Sequence, residues 1–521
     1  MSVGDAGSRC PAMAQLVLPS VKVTSVEFIA DGIAFPLNPA TRRIAGKSLP
    51  EHCRVNGNIV AGPEAAGAAL DIAFEIRLPS QWNGRFFGQG TAHAQDPLVE
   101  AFGRNSGAGG LEDNALSRGF AVLASTPWRV AGGAAADRPQ RRDAAAVTLE
   151  RSGLTAKALI QAYYGRPPDR SYFIGCSEGG RDGLLFAQHW PSMFDGIVAV
   201  APKLREADAA LAAAWTLGRL TAVAPRGSNR QPVLSRALST QDMFTVAQGI
   251  LKQCDALDGA EDGFVMDMAS CRFDPGPLQC KRGKSKECLP ANKLQALREA
   301  MAGPRDAAGQ ALYAPWPWDP GIAAPGWRAW TLGQAGPGSA PDARHLTRTS
   351  IALGAEFVTP PDPKLNALNF DFKRDLPRVQ AARDADAAFF ALPLEAFRQR
   401  QGRLLLVHGA ADPVVSAWAT VAYQQRLSRS TEGAGAREDV DFVRAFIVPG
   451  MNHCAGGPST DRFDALAAMV EWVETDQPPL RIEARGSDVL QDETRPLCPW
   501  PEVARYTGSG SLHESASYSC R

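Results

Sequence analysis

The sequence predicts an α/β fold, a parallel sheet interrupted by one long insertion. Three observations carry this expectation. Short apolar strands alternate with helical stretches up to about residue 202, a G-x-S-x-G turn follows one of those strands, and the alternation resumes at residue 402 after a long stretch of different composition.

Residues 68–78, AALDIAFEIRL, alternate as a strand does. RFFGQG at 85–90 is a short apolar run ending in a glycine loop, and GFAVLASTP at 119–127 reads as a strand and turn. In 142–164 the residues Ala144, Ala145, Val147, Leu154, Ala158, Leu159 and Ala162 mark a helical face. A strand at 172–174 ends abruptly in GCSEG, a helix runs from near Gly180 to about Trp190, and FDGIVAVAP at 194–202 is the next strand. From about 204 to 392 the chain is rich in Pro, Gly, Trp and Ala and holds four of the cysteines; APWPWDPGIAAPGWRAW at 314–330 resembles no regular element. The pattern then resumes with GRLLLVHGAADPVV at 402–415, VRAFIVPGMNHC at 443–454 and a helix in 463–474. The expected organisation is one α/β domain in two parts, 1–203 and 393–521, carrying an inserted lid at 204–392 over its catalytic edge.

The chain has 521 residues, 45% hydrophobic and 21% charged, which is ample core material for a globular protein. Lys+Arg and Asp+Glu both number 55, so nothing favours nucleic acid or an anionic membrane as partner. No apolar run approaches the roughly 18 residues of a membrane span. The ten cysteines contain no CxxC pair, so disulfides in an oxidising compartment are the preferred reading, with buried free thiols the alternative. The stretch MSVGDAGSRC has no basic segment followed by an apolar one. A secreted, periplasmic or outer-membrane-associated protein is expected, its signal peptide absent from this chain.

The stretch SYFIGCSEGG, 171–180, raises the chemical question. G-x-S-x-G between a strand and a helix places Ser177 on a tight turn with its hydroxyl exposed, the context a nucleophile elbow requires. A serine hydroxyl needs a base, and the base needs an orienting acid. Asp412 follows RLLLVHG and His453 follows RAFIVPG, in the chain order Ser, Asp, His. Histidines 52, 93, 189, 345, 408 and 513 lack that context, and His408 reads as structural. Cys176 precedes the serine and Cys454 follows the histidine. If Ser177 and His453 are in reach of each other, the two cysteines are close enough to bridge, clamping base to nucleophile; the alternative is two neighbouring free thiols.

SYFIGCSEGGR, FDGIVA, the VPGMNHC segment and RPLCPWPEVARYTGSG resemble the tannase and feruloyl esterase family over nearly the whole chain, and look closest to its mono(2-hydroxyethyl) terephthalate hydrolase branch. The resemblance implies an α/β-hydrolase fold with a lid, a carboxylic ester hydrolase acting on a small aromatic ester, and a monomer. It also implies the pairings Cys10–Cys53, Cys254–Cys271, Cys280–Cys288 and Cys498–Cys520. The oxyanion hole is expected to use the backbone N–H of Glu178 and a second donor from GQGTAHA, Thr91 or Gly90.

CDALDGAEDGF at 254–264 spaces carboxylates between glycines, which suits Ca²⁺ rather than an EF-hand; a solvated acidic turn is the alternative. The resemblance places a structural calcium here, on Asp255, Asp258 and Asp262 with the carbonyls of Ala260 and Phe264. It further implies a substrate pocket with Trp330, Phe357 and Val415, and with Arg344 holding a free carboxylate. Val415 and Arg348 stand where the branch has aromatics, which loosens the expected clamp. Trp316, Trp318 and Trp327 read as core. Two rival functions are a tannase or feruloyl esterase acting on plant phenolic esters, and a catalytically dead calcium-stabilised binding protein.

Overall fold

The computed structural model describes residues 6–32, 49–61, 70–90, 98–103, 114–126, 138–228, 230–281, 287–336, 339–429, 442–487 and 490–521. At its centre is a nine-stranded sheet in the order β1-β2-β3-β5-β4-β6-β7-β8-β9. The strands are β1 (Val21–Ile29), β2 (His52–Ala61), β3 (Leu70–Pro79), β4 (Arg85–Gln89), β5 (Ala121–Ser125), β6 (Arg170–Cys176), β7 (Gly196–Val200), β8 (Arg403–Gly409) and β9 (Val443–Val448). β1, β2, β3 and β5 pair antiparallel, while β5, β4, β6, β7, β8 and β9 pair parallel.

The parallel strands are buried on both faces, which is why they read as continuous apolar runs. In β8, Leu404 and Leu406 enter one core and Leu405 and Val407 the other. In β7, Ile197 and Ala199 alternate with Val198 and Val200 in the same way. The first core is completed by Leu159 and Ile160 of a helix at Arg138–Tyr164 and by Leu184 and Phe186 of a helix at Glu178–His189. The second is completed by Leu466, Met469 and Trp472 of a helix at Ala465–Thr475.

Between β7 and β8 lies a helical layer with its own apolar core, drawing on Leu211, Leu217, Ile250, Leu297, Trp327 and Val379. The irregular reading of 314–330 is corrected here: a 3-10 turn covers Pro320–Ala323 and an α-helix Pro325–Thr331. Pro320 and Pro325 each open their element, where the missing N–H is no loss. Trp316 and Trp327 belong to this core and Trp318 packs against it.

Two elements were not anticipated. β1 and β2 extend the sheet as antiparallel edge strands, and a three-stranded sheet forms near the C-terminus from Arg462–Phe463, Ile482–Arg485 and Thr494–Leu497. Five disulfides are present, Cys10–Cys53, Cys176–Cys454, Cys254–Cys271, Cys280–Cys288 and Cys498–Cys520, with Cα separations of 5.4, 6.0, 5.3, 4.8 and 5.4 Å. Among the described residues no helix is long and apolar enough to cross a membrane.

Candidate active site

β6, β8 and β9 run parallel, so the loops after Cys176, Gly409 and Val448 emerge at one edge of the sheet. These loops carry Ser177, Asp412 and His453. Ser177 has φ 61° and ψ −113°, a conformation that costs a non-glycine residue about 1–3 kcal/mol and is held by its surroundings. Its N–H donates to Val200 O at 2.9 Å. The turn is tight because Gly175 and Gly180 are glycines: a Cβ on Gly175 would lie 2.5 Å from the carbonyl carbon of Gly179, and one on Gly180 would lie 2.6 Å from Val200 O.

His453 Nδ1 donates to Asp412 Oδ2 at 2.7 Å. Asp412 is buried, and its Oδ1 accepts the N–H groups of Val414 at 2.7 Å and Val415 at 3.1 Å. His408 Nε2 lies 3.0 Å from Val415 O and 3.2 Å from Asp412 Oδ2, both acceptors, so Nε2 carries the proton and Nδ1 accepts from Thr420 Oγ1 at 2.7 Å. Burial alone would raise the Asp412 carboxyl, but the imidazoles of His453 and His408 outweigh it and hold the group well below the usual carboxylate range. His408, near the end of β8, is thus a second donor to Asp412, which its place before the 410–416 loop did not disclose.

Ser177 Oγ and His453 Nε2 are both buried, and neither has a hydrogen-bond partner. The Cys176–Cys454 disulfide ties the residue before the serine to the residue after the histidine. The Ser177 hydroxyl and the His453 imidazole thus share no hydrogen bond, and such bonds are often long before substrate binds.

Glu178 is the first residue of its helix, so its N–H has no acceptor within that helix and is free for an oxyanion. The Gly90 expectation is corrected: its N–H donates to Ile174 O at 2.8 Å, continuing the β4–β6 ladder. Thr91 lies outside the described residues. The Glu178 side chain pairs with Lys203 Nζ at 2.5 Å. Burial opposes its ionisation, but the Lys203 ammonium and a hydrogen bond from Glu206 hold its carboxyl down at about 2.

A pocket of about 170 Å³ opens beside the histidine, lined by Trp330, His345, Arg348, Phe357, Val414 and Val415 together with Glu178 and Lys203. The Trp330 ring stands edge-on to His453 with centroids 5.7 Å apart. The helix at Arg344–Ile351 contributes Arg348 to the wall; Arg344 lies outside this lining, its guanidinium 5.6 Å from the centre of the Trp330 ring. The helical layer also grips the acid loop. Tyr313 OH accepts the Ser416 N–H at 3.2 Å, Ser416 Oγ donates to Pro315 O at 2.5 Å, and His345 Nε2 donates to Pro413 O at 2.9 Å. Burial holds the His345 imidazole down at about 4, so it is neutral.

The acidic loop stands apart from this site, against the C-terminal segment. Asp258 is buried with Oδ2 unpartnered, and burial, with Asp262 and Asp255 nearby, pushes its carboxyl up to about 7. Asp255 accepts the N–H groups of Asp262 and Gly263. Asp262 Oδ2 is taken by the buried Arg495 guanidinium at 2.8 Å and by Tyr518 OH at 2.5 Å. Among the described residues no three acidic, histidine or cysteine side chains converge as a metal cage. Asp258 thus fits a cation ligand, whereas Asp262 is already engaged.

With this geometry in view, the chain can be set beside known proteins. The model of the family described as tannase and feruloyl esterase matches residues 53–521. The chain belongs to the tannase and feruloyl esterase family. It is 38% identical to mono(2-hydroxyethyl) terephthalate hydrolase of Piscinibacter sakaiensis, over 92% of this chain and 86% of that protein. It is 24% identical to feruloyl esterase C of Talaromyces stipitatus, over 98% of this chain and 94% of that protein. Among solved structures, feruloyl esterase B from Aspergillus oryzae superposes with a TM-score of 0.78 at 21% identity, over 99% of this chain and all of that one. The fold is that of an α/β-hydrolase, and the protein is a carboxylic ester hydrolase.

Proposed function

We propose that this family member hydrolyses monoesters of aromatic carboxylic acids by a serine acyl-enzyme mechanism. The observation that carries the proposal is the buried Asp412–His453 contact of 2.7 Å, with Ser177 Oγ and His453 Nε2 both buried and unpaired on loops joined by the Cys176–Cys454 disulfide. Ser177 attacks the ester carbonyl while His453 Nε2 takes its proton. Asp412 fixes the Nδ1–H tautomer and balances the imidazolium. The Glu178 N–H at the helix start and a donor from the loop after β4 receive the oxyanion. His453 then protonates the leaving alcohol, and water repeats the sequence on the acyl-enzyme.

The aromatic acyl group is assigned to the space between Trp330, Phe357 and Val415, with Arg344 receiving a ring carboxylate. The named activity of the Piscinibacter relative supports this reading. Specificity constants for mono(2-hydroxyethyl) terephthalate, methyl ferulate and methyl gallate test it. Arg344→Ala is expected to lower the constant for the carboxylate-bearing ester about 10–100-fold, the range of one charge-assisted hydrogen bond, and to leave the methyl esters nearly unchanged. Equal effects on all three esters would refute the role given to Arg344.

A second reading, a feruloyl or tannic ester hydrolase, is favoured by one observation: Arg344 is exposed and outside the pocket wall. Preference for the phenolic methyl esters in the same assay would establish it. Five disulfides suit an oxidising compartment, so a secreted or periplasmic protein is expected.

We further propose that the 254–264 loop binds one Ca²⁺ through Asp255, Asp258 and the carbonyls of Ala260 and Phe264, and through Asp262 once the ion replaces its contacts with Arg495 and Tyr518. Its support is the orphaned, buried Asp258 oxygen, which a cation would satisfy. The ion would neutralise the crowded carboxylates and stiffen the loop, without part in catalysis. Chelation is expected to lower the melting temperature by a few degrees and Ca²⁺ to restore it, with Asp258→Asn insensitive to both. A melting temperature indifferent to chelator, with no Ca²⁺ retained on dialysis, would refute the site.

A further inference from the structure

The turn Pro320–Ala323, which belongs to the inserted layer, is wedged between the two loops that carry Asp412 and His453. A Cβ added to Gly321 would stand 2.5 Å from Ala411 Cβ and 2.5 Å from Gly450 O. Ala411 directly precedes the acid, and Gly450 lies three residues before the base. Asp319 caps this turn. It is 2% exposed; its Oδ1 accepts the Gly321 N–H at 2.7 Å and its Oδ2 accepts the Gly450 N–H at 3.0 Å. Asn452 closes the same corner, its Nδ2 donating to Gly321 O and to Ala411 O, each at 3.2 Å.

An isolated buried carboxylate is costly, and no cation among the described residues pairs with Asp319. Burial pushes its carboxyl up to about 6 against the pull of the two N–H groups, so it is anionic at neutral pH. A turn cap alone needs one acceptor. The second oxygen is spent across the domain boundary, on the histidine loop.

We propose that Asp319 is a positioning residue for the reaction: through Gly450 and Gly321 it locks the histidine loop against the acid loop and so sets the distance between the His453 imidazole and Asp412. The proposal rests on the triad reading above. Gly450 has φ 74°, a backbone state held by its contacts rather than by the chain itself. Releasing its N–H frees the segment 450–453 to shift, and a misplacement on the order of 1 Å at a catalytic base lowers rate by about a hundredfold.

The experiment compares wild type, Asp319→Asn and Gly321→Ala well below the melting transition. It reads the rate of Ser177 labelling by a small fluorophosphonate, kcat and KM for two esters with different acyl groups, and the low-field proton resonance of His453 Nδ1–H. Asp319→Asn presents the same shape but cannot accept at both positions. It is expected to lower labelling and kcat about 10–100-fold, equally for both esters, with KM little changed and the resonance shifted or broadened. Gly321→Ala, which wedges the loops apart and keeps the carboxylate, is expected to act in the same direction, and wild-type labelling and kcat in that variant would overturn the latch even if Asp319→Asn fails to fold. Wild-type labelling, kcat and resonance in the folded variants, even with a lowered melting temperature, would reduce Asp319 to a structural cap and overturn the proposal. Absence of labelling in the wild type would instead remove the triad reading, and the latch with it.

Discussion

Replacing Asp412 by asparagine is expected to lower kcat by about four orders of magnitude, the scale seen when a triad acid loses its charge and imposes the wrong imidazole tautomer. The geometry makes the effect severe here. Every group around the carboxylate is a donor: His453 Nδ1 at 2.7 Å, His408 Nε2 at 3.2 Å and the N–H groups of Val414 and Val415 at 2.7 and 3.1 Å. An amide has one accepting oxygen. If that oxygen faces Val414 and Val415, the NH₂ faces His453 and drives the proton to Nε2, where it blocks attack by Ser177. If it faces His453, the NH₂ collides with two backbone donors and the loop distorts. Steady-state kinetics on any turned-over ester measure the loss. A folded Asp412→Asn protein within tenfold of wild type would sink the assignment of Asp412 as the acid.

The second large effect concerns the disulfide between the loops. Changing both Cys176 and Cys454 to alanine is expected to destabilise the protein by up to about 5 kcal/mol on the loop-entropy estimate, because the bond closes a sequence separation of 278 residues. Activity should fall as well. Ser177 and Cys454 both hold left-handed backbone, φ 61° and 69°, at non-glycine positions, and the bond joins the immediate neighbour of the first to the second. Urea unfolding midpoints, with kcat measured where each protein is fully folded, test both parts. An unchanged midpoint would show that the surrounding packing, rather than the cross-link, holds the elbow to the histidine loop.

Much of this site was legible in the sequence because its signals are local. The run SYFIGCSEGG specifies strand, turn and helix within ten residues, and LLLV and IVAV announce strands buried on both faces. Cysteines adjacent to the serine and histidine carried a distance inference that spacing alone never gives. What escaped was relational. The availability of the Gly90 N–H depends on Ile174, which pairs with it across the sheet. β2 carries Gly57 in its interior, where a Cβ would strike Lys22 O and the Phe74 ring, so a residue that breaks the strand pattern is required by close packing. Arg344 and Arg348 share one helix face, and only the packed structure separates the one over Trp330 from the one in the pocket wall. The same holds for Asp262, whose carboxylate looks like a free ligand in CDALDGAEDGF until Arg495, far along the chain, is placed against it.

The bonds from Tyr313, Pro315 and His345 to the acid loop bear on how such enzymes can be recombined. A chimera that exchanges the stretch between β7 and β8 for that of a relative leaves the 410–416 loop behind with foreign donors and acceptors facing it. Crossovers drawn at the strand ends therefore cut through a shared hydrogen-bonded corner. The transferable unit is the inserted layer together with 410–416 and 449–453, so loss of turnover in a simple swap would report a broken corner before it reported an unsuitable pocket.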